Sequence, residues 1–271
     1  MNRKQMEEKI RQARSFVKNH FEDDFESDQA LKKPQPPLVK APMAEHSLVL
    51  PRDFEKLDIH KSLTEIIMQR KSSRVFTQKK MDLLQLSYLL WATQGIKELR
   101  GKSYATLRTV ASGGARHGFE TYLVVRNVDG LQLGCYHYLP MEHELEYLHG
   151  LEKADQAITE SLRGQAWAAK ANVIFYWSLI PYRCEWRYSF EAHRVALIDA
   201  GHVGQNLYLA CCGLQLGTCA IAAFDGSFCD KMFGLDGEEE FVVYTAPVGT
   251  IDSTDQDKEK SFYQFVEVEG L

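Results

Sequence analysis

The chain has 271 residues, and 45% of them are hydrophobic, enough to bury a sizeable core in one large domain or two small ones. Charged residues make up 25%, the formal net charge is −5 and the isoelectric point is about 6.0, so neither nucleic acid nor an anionic membrane is expected as the main partner. None of the six cysteines forms a C-x-x-C pair and no Cys/His set has closed ligand spacing, which argues for reduced, buried thiols and against a metal site.

No apolar stretch follows Met-Asn-Arg-Lys-Gln at the start, so no secretory signal is read there and a cytoplasmic protein is expected. Residues 1–25 read as a helix, with Met6, Ile10, Ala13 and Val17 on one face. Residues 27–52 hold five of the eight prolines and read as an extended arm that wraps over the core or over a partner subunit. Residues 1–52 are therefore set apart from a domain spanning 53–271. Ser62, with Glu65 three residues on, caps a helix whose apolar face is Leu63, Ile66 and Ile67 and which ends near Arg70. Asp82 caps the next, with Leu83, Leu86, Leu89 and Leu90 at helical spacing and Gly95 at its end.

From there the period changes. Thr121–Val125, Gly134–Leu139 and Glu144–Leu148 read as strands, with a turn at Asn127–Gly130. Residues 152–170 read as helix, Ala171–Leu179 as a buried strand and 191–214 as a long central helix. Cys219–Phe224 and Phe241–Pro247 close the pattern as strands. The 25-residue run Ala200–Phe224 has no charged residue, but its His202, Gln205, Asn206, Gln215 and four glycines favour buried helix, turn and strand over a membrane span. Irregular alternation with hairpins in the middle indicates an α+β fold with a mostly antiparallel sheet.

Three segments carry chemical signal. Arg70-Lys71-Ser72-Ser73-Arg74 concentrates cations and hydroxyls at a helix end; it is either a solvated basic turn or an anchor for a nucleotide phosphate. Ala111-Ser112-Gly113-Gly114-Ala115-Arg116-His117-Gly118 precedes a strand and is either a flexible turn or a place where backbone approaches a flat ligand; it is neither G-x-G-x-x-G nor a P-loop. Leu214–Phe224 alone reads as core, with alanines that could bring N–H groups to a ligand edge.

Taken in order, Arg70–Phe76, Leu89–Ile96, Ser112–His117, Gly134–Tyr138, Asp199–Tyr208, Gly217–Ile221 and Pro247–Gly249 resemble the nitroreductase superfamily, and within it the SagB-type branch that includes azoline dehydrogenases. The resemblance covers about residues 59–250. It implies an α+β nitroreductase-like fold, its mostly antiparallel central sheet flanked by helices, in an intertwined, cytoplasmic homodimer that binds FMN, with no membrane or nucleic-acid partner. It implies that Arg70, Lys71, Ser72 and Arg74 hold phosphate and ribityl, that Ala111, Ser112, Gly113 and Ala115 come from the partner subunit near the ring, and that Gly217, Thr218, Ala222 and Ala223 line the flavin, the last two placing backbone N–H near N5. Lys258 or Lys260 would add a phosphate contact.

The resemblance further implies chemistry carried by the flavin, with NADH or NADPH as donor and a small-molecule acceptor taking turns at one ring face. No side-chain base is required and none is assigned. The branch has a Lys-Tyr pair implicated in proton removal where this chain has Arg187-Tyr188; Arg stays charged and makes a poor base, so ring oxidation of azolines is not favoured. The structural reading of that pair is an interface salt bridge and a packed ring, and His193 and His202 read as core or interface residues. The leading expectation is an NAD(P)H-dependent reductase of nitroaromatics or quinones. Its rivals are a dedicated FMN dehydrogenase acting on a modified peptide or metabolite, and a flavin binder without turnover.

Overall fold

The computed structural model describes residues 2–19, 26–252, 260–261 and 264–270. Its centre is β4 (Phe119–Val125), the fourth strand of a seven-stranded sheet. The others are β1 (Ser47–Val49), β5 (Gly134–Leu139), β6 (Glu144–His149), β7 (Val173–Leu179), β8 (Leu216–Thr218) and β9 (Phe241–Thr250). Their order is β1-β6-β5-β4-β7-β9-β8, and every ladder in it is antiparallel. A separate hairpin joins β2 (Ile96–Arg100) to β3 (Ala105–Arg108).

Strand alternation gives the sheet two different faces. Phe119, Leu123, Val125, Phe175 and Trp177 pack with α3 (Leu83–Gln94) and α6 (Ala192–Gly213). Tyr122, Val124, Ile174 and Tyr176 pack with α4 (Ala154–Ser161) and α7 (Gly226–Phe233). Each such side chain, taken fully from water, contributes roughly 1.5–3 kcal/mol. The remaining helices are α1 (Arg3–Phe16), α2 (Leu63–Gln69), α5 (Pro181–Tyr188) and α8 (Gln264–Glu269).

Local chemistry sets the helix ends. Ser62 with Glu65 and Asp82 with Gln85 form capping boxes at α2 and α3. Gly95 does end α3, but at φ −61°; it is glycine because a Cβ would lie 2.4 Å from Trp91 Cδ1. The arm lies on its own chain. Met43 and Ala44 donate backbone N–H to Glu146, Lys40 N–H goes to Glu120, and Leu50 is buried.

Three sequence expectations need correction. Helix 152–170 stops at Ser161, because Arg163 and Gly164 take left-handed φ values of 53° and 84°. Cys219–Phe224 is not a strand: after β8 only an isolated bridge, Ile221 to Thr245, keeps the register. In that register Cys219 faces Pro247, which has no N–H to offer, and Ala220 N–H turns to the Tyr208 hydroxyl at 2.9 Å. The helix read over 1–25 spans 3–16; residues 20–25 lie outside the described residues, and the apolar Met6, Ile10 and Val17 are exposed. The β2–β3 hairpin, α5 and α7 went unread.

Candidate functional site

Beyond the C-cap of α2 the chain runs along β8 and the end of β9. Ser73 N–H donates to Thr218 O at 2.9 Å, and Thr77 N–H to Thr250 O at 2.8 Å. Gly217 permits this: a Cβ there would come within 2.4 Å of Ile251 and 2.8 Å of Ser73. Two segments more than a hundred residues apart in sequence thus form one wall.

Against that wall lies a cavity of about 460 Å³, within the range of small-molecule sites. Lys61, Gln69, Lys71, Ser73 and Thr218 supply its polar lining, and Asp252 lies at the same mouth. Lys71 is exposed and makes no ion pair among the described residues. Tyr208, on α6, ties the parts together. Its hydroxyl meets Ser72 Oγ at 3.0 Å, and its ring lies under the Arg70 guanidinium at 5.1 Å. Lys61, Ser73 and Tyr208 were not singled out from sequence, although Ser73 and Tyr208 sit inside motifs that were.

The remaining expected residues distribute unevenly. Thr218 reaches the cavity but commits its hydroxyl to Pro247 O at 2.9 Å. Arg74 is half-buried and does not line the cavity. Ala222 and Ala223 are exposed, and their N–H groups find no acceptor among the described residues. Lys258 lies outside the described residues, and Lys260 is exposed.

The loop Ala111–Ala115 sits elsewhere, at the opposite end of α6. Gly113 N–H donates to both Asp199 oxygens at 3.0 and 3.1 Å, and the Ser112 hydroxyl accepts His117 N–H at 2.9 Å. Asp199 and Tyr208 are nine residues apart, about 14 Å along the helix. Within one chain, therefore, the loop does not meet the cavity. Burial holds the Asp199 carboxyl above its ordinary pKa, although Ser112 and Gly113 pull it down. Gly114, Ala115 and His117 take φ values of 56°, 54° and 47°, a concentration of left-handed backbone that costs non-glycine residues on the order of 1 kcal/mol each.

Arg187 and Tyr188, at the end of α5, border this loop: a Cβ on Gly114 would lie 2.6 Å from Arg187 Cδ and 2.7 Å from the Tyr188 hydroxyl. Arg187 makes no salt bridge among the described residues; its Nη1 donates to Gln29 and to the Tyr104 hydroxyl. His193 and His202 are exposed, with His193 paired to Glu185 at 2.7 Å. All six cysteines are free thiols, and burial pushes Cys184 and Cys229 up to about 12. Among the described residues no cluster of His, Cys, Asp and Glu could hold a metal, and no helix is long and apolar enough to cross a membrane.

The profile of the nitroreductase family matches residues 67–250. A protein of Methanocaldococcus jannaschii that carries the nitroreductase name, MJ1384, is 28% identical over 187 residues, 69% of this chain and 90% of its own length. The microcin B17-processing protein McbC of Escherichia coli is 27% identical over 135 residues, 48% of this chain and 49% of its own. Among solved structures, one from Ralstonia eutropha, likewise named for the nitroreductases, superposes with a TM-score of 0.63 at 23% identity, over 81% of this chain and 95% of its own; that likeness is one of fold. The chain belongs to the nitroreductase family and is an oxidoreductase.

Proposed function

We propose that this chain is an FMN-dependent oxidoreductase, active as a homodimer, that takes electrons from NADH or NADPH and passes them to a small acceptor such as a nitroaromatic or quinone. The observation that carries the reading is the cavity between Arg70–Arg74 and Gly217–Thr218. Its fit to FMN rests on three features: a volume of about 460 Å³, two lysines at its lining, and a glycine whose Cβ the packing excludes. Lys61 and Lys71 would hold the phosphate, and Ser73 would offer a neutral donor beside them. Ala222 and Ala223 would present N–H groups at the rim. When bound, FMN would supply the hydride chemistry. What this chain contributes is anchoring, orientation and exclusion of water.

The dimer is supported by apolar residues left exposed on adjacent elements. Leu63 and Ile67 on α2 and Leu197 and Ile198 on α6 are each at least 50% exposed. A second copy would also carry its own Ser112–Ala115 loop, 14 Å or so from the cavity within one chain, to a flavin held by the first.

The test is an absorbance spectrum between ~350 and ~500 nm, taken before and after anaerobic NADPH and then NADH. Yellow protein that bleaches is expected. Yellow protein that bleaches with neither donor would transfer the proposal to a dedicated dehydrogenase of a modified peptide, the reading that the McbC likeness favours. Protein that neither carries nor takes up FMN would end both.

A further inference from the structure

At the loop end of α6 two guanidinium groups stand together with no acid beside them among the described residues. Arg116 is buried; its Nε donates to Gly114 O and its Nη2 to Tyr104 O, each at 3.1 Å. Its guanidinium is stacked 5.0 Å from the Tyr104 ring and 5.3 Å from the Trp186 ring. Arg187 is half-buried. Among the described residues only its Nη1 is engaged, by Gln29 Oε1 at 3.2 Å and the Tyr104 hydroxyl at 3.1 Å. Neither arginine has a carboxylate within 4 Å among the described residues. The Asp199 carboxylate, close by, is taken by Gly113.

A guanidinium carries five donors in a fixed fork, and Nε and Nη2 of Arg187 have no acceptor among the described residues. Two like charges flanked by neutral acceptors and rings repel each other, and an anion relieves that repulsion with charge-assisted bonds. The arm holds Arg187 in place: Gln29 Nε2 also donates to the Tyr104 hydroxyl at 2.9 Å, and Gln29 N–H to Trp186 O at 2.7 Å. Tyr104 and Tyr188 add aromatic faces beside the charge, with Arg187 5.6 Å over the Tyr188 ring.

We infer that Arg187, backed by Arg116 and framed by Tyr104 and Tyr188, is a recognition site for the carboxylate of an aromatic acid, and that this oxidoreductase selects anionic acceptors over neutral ones. The selectivity, though not the binding, rests on the flavin reading above. Arg187 recognises the substrate and takes no proton. The arm residue Gln29 is a positioning residue for it.

Two experiments separate this inference from the flavin reading. Calorimetry of the purified protein with benzoate and with the isosteric benzamide needs no turnover. Benzoate is expected to bind at least about tenfold more tightly, the size of one charge-assisted contact. Arg187→Gln should abolish that margin, and Arg187→Lys should keep part of it. With FMN-loaded protein, the ratio of kcat/KM for 4-nitrobenzoate over methyl 4-nitrobenzoate should fall about tenfold in Arg187→Gln. Equal binding of benzoate and benzamide, or a margin that survives Arg187→Gln, overturns the inference even if the protein proves a competent flavin reductase. So does an Arg187→Gln effect confined to NADPH against NADH, which would assign the anion to the donor. If FMN is never taken up, the calorimetric margin and its loss still decide the binding claim.

Discussion

Two of this molecule's clusters of buried or half-buried charge are built on opposite plans. In the first, a row crosses the sheet from β6 to β9. His137 sits between Glu146 at 2.6 Å and Glu120 at 3.1 Å, Arg183 pairs with Glu120, and Lys40 from the arm pairs with Glu240. His137, Arg183 and Lys40 each have an anion, while the neighbouring buried Arg108 is held by Gln94, Thr106 and Leu38 O; the carboxylates' remaining lone pairs take backbone N–H from the arm. In the second, Arg116 and Arg187 have, among the described residues, only carbonyls, rings and neutral side chains. A compensated cluster fixes structure, here the path of residues 40–44 over the sheet. An uncompensated one is costly to the fold alone and becomes useful when a ligand supplies the missing charge.

The comparison breaks most visibly at Glu120. Glu120→Gln would leave Arg183, 3% exposed, without its counter-ion and His137 with one carboxylate instead of two. Stranding a buried charge costs about 3–5 kcal/mol, and urea denaturation should register a loss of that size. A loss under about 1 kcal/mol would mean that the row is solvated and that the contrast between the clusters is false.

The same row should give stability a definite pH window. Burial opposes a charge on His137, but the hydrogen bonds of Glu120 and Glu146 outweigh it and raise its pKa above 6.5. A raised histidine contributes stability that is fully present below 6.5 and is lost as pH rises through the folded value. For Glu120 and Glu146 burial is again opposed, by Arg183 and His137 for the first and by His137 and the arm's N–H groups for the second, and both fall below 4.5. Their contribution is present above 4.5 and lost as pH falls. Denaturation midpoints should therefore drop on both sides of neutrality, and His137→Gln should flatten the alkaline limb.

The second cluster is sharpened at Gly114. At φ +56°, with no room for a Cβ beside Arg187 and Tyr188, Gly114→Ala should cost about 1–2 kcal/mol in thermal denaturation. Because the displaced atoms are those that face the proposed carboxylate, the benzoate margin should shrink with it. A stable variant whose margin is unchanged would place the site away from this loop.

How much of this was readable beforehand follows from the range of each interaction. The caps at Ser62 and Asp82 and the strand Gly134–Leu139 are local patterns, and they stand where the residues put them. α7 was missed although Asp225 caps it and Gly234 ends it at φ +70°, signals of the same kind. The β2–β3 hairpin was hidden because β2 is a charged, exposed strand with little alternation and β3 is only four residues long. Arg70–Arg74 and Gly217–Thr218 were each legible as residue types, but the cavity between them required the ladder through Ser73. The charge row was not legible at all: Glu120, His137, Glu146 and Glu240 become neighbours only through sheet register, and Lys40 reaches them from the arm.

The smallest expected effect lies at the cavity, where both plans meet. Lys71 resembles Arg187 in lacking an ion-pair partner among the described residues, but it is exposed to solvent. Screening then limits what a phosphate contact there can contribute, to about 1 kcal/mol, or roughly fivefold in Kd. Lys71→Gln should weaken FMN by that factor in a fluorescence titration and leave riboflavin, which has no phosphate, unchanged. That difference between the two ligands carries the inference, since loss of packing would weaken both. Should riboflavin weaken equally, the lysine touches some other part of the flavin, and the cavity would not be its phosphate end. Raising the salt concentration should erase the wild-type advantage for FMN before it erases the benzoate margin at the half-buried Arg187, because charges in contact with water are screened first.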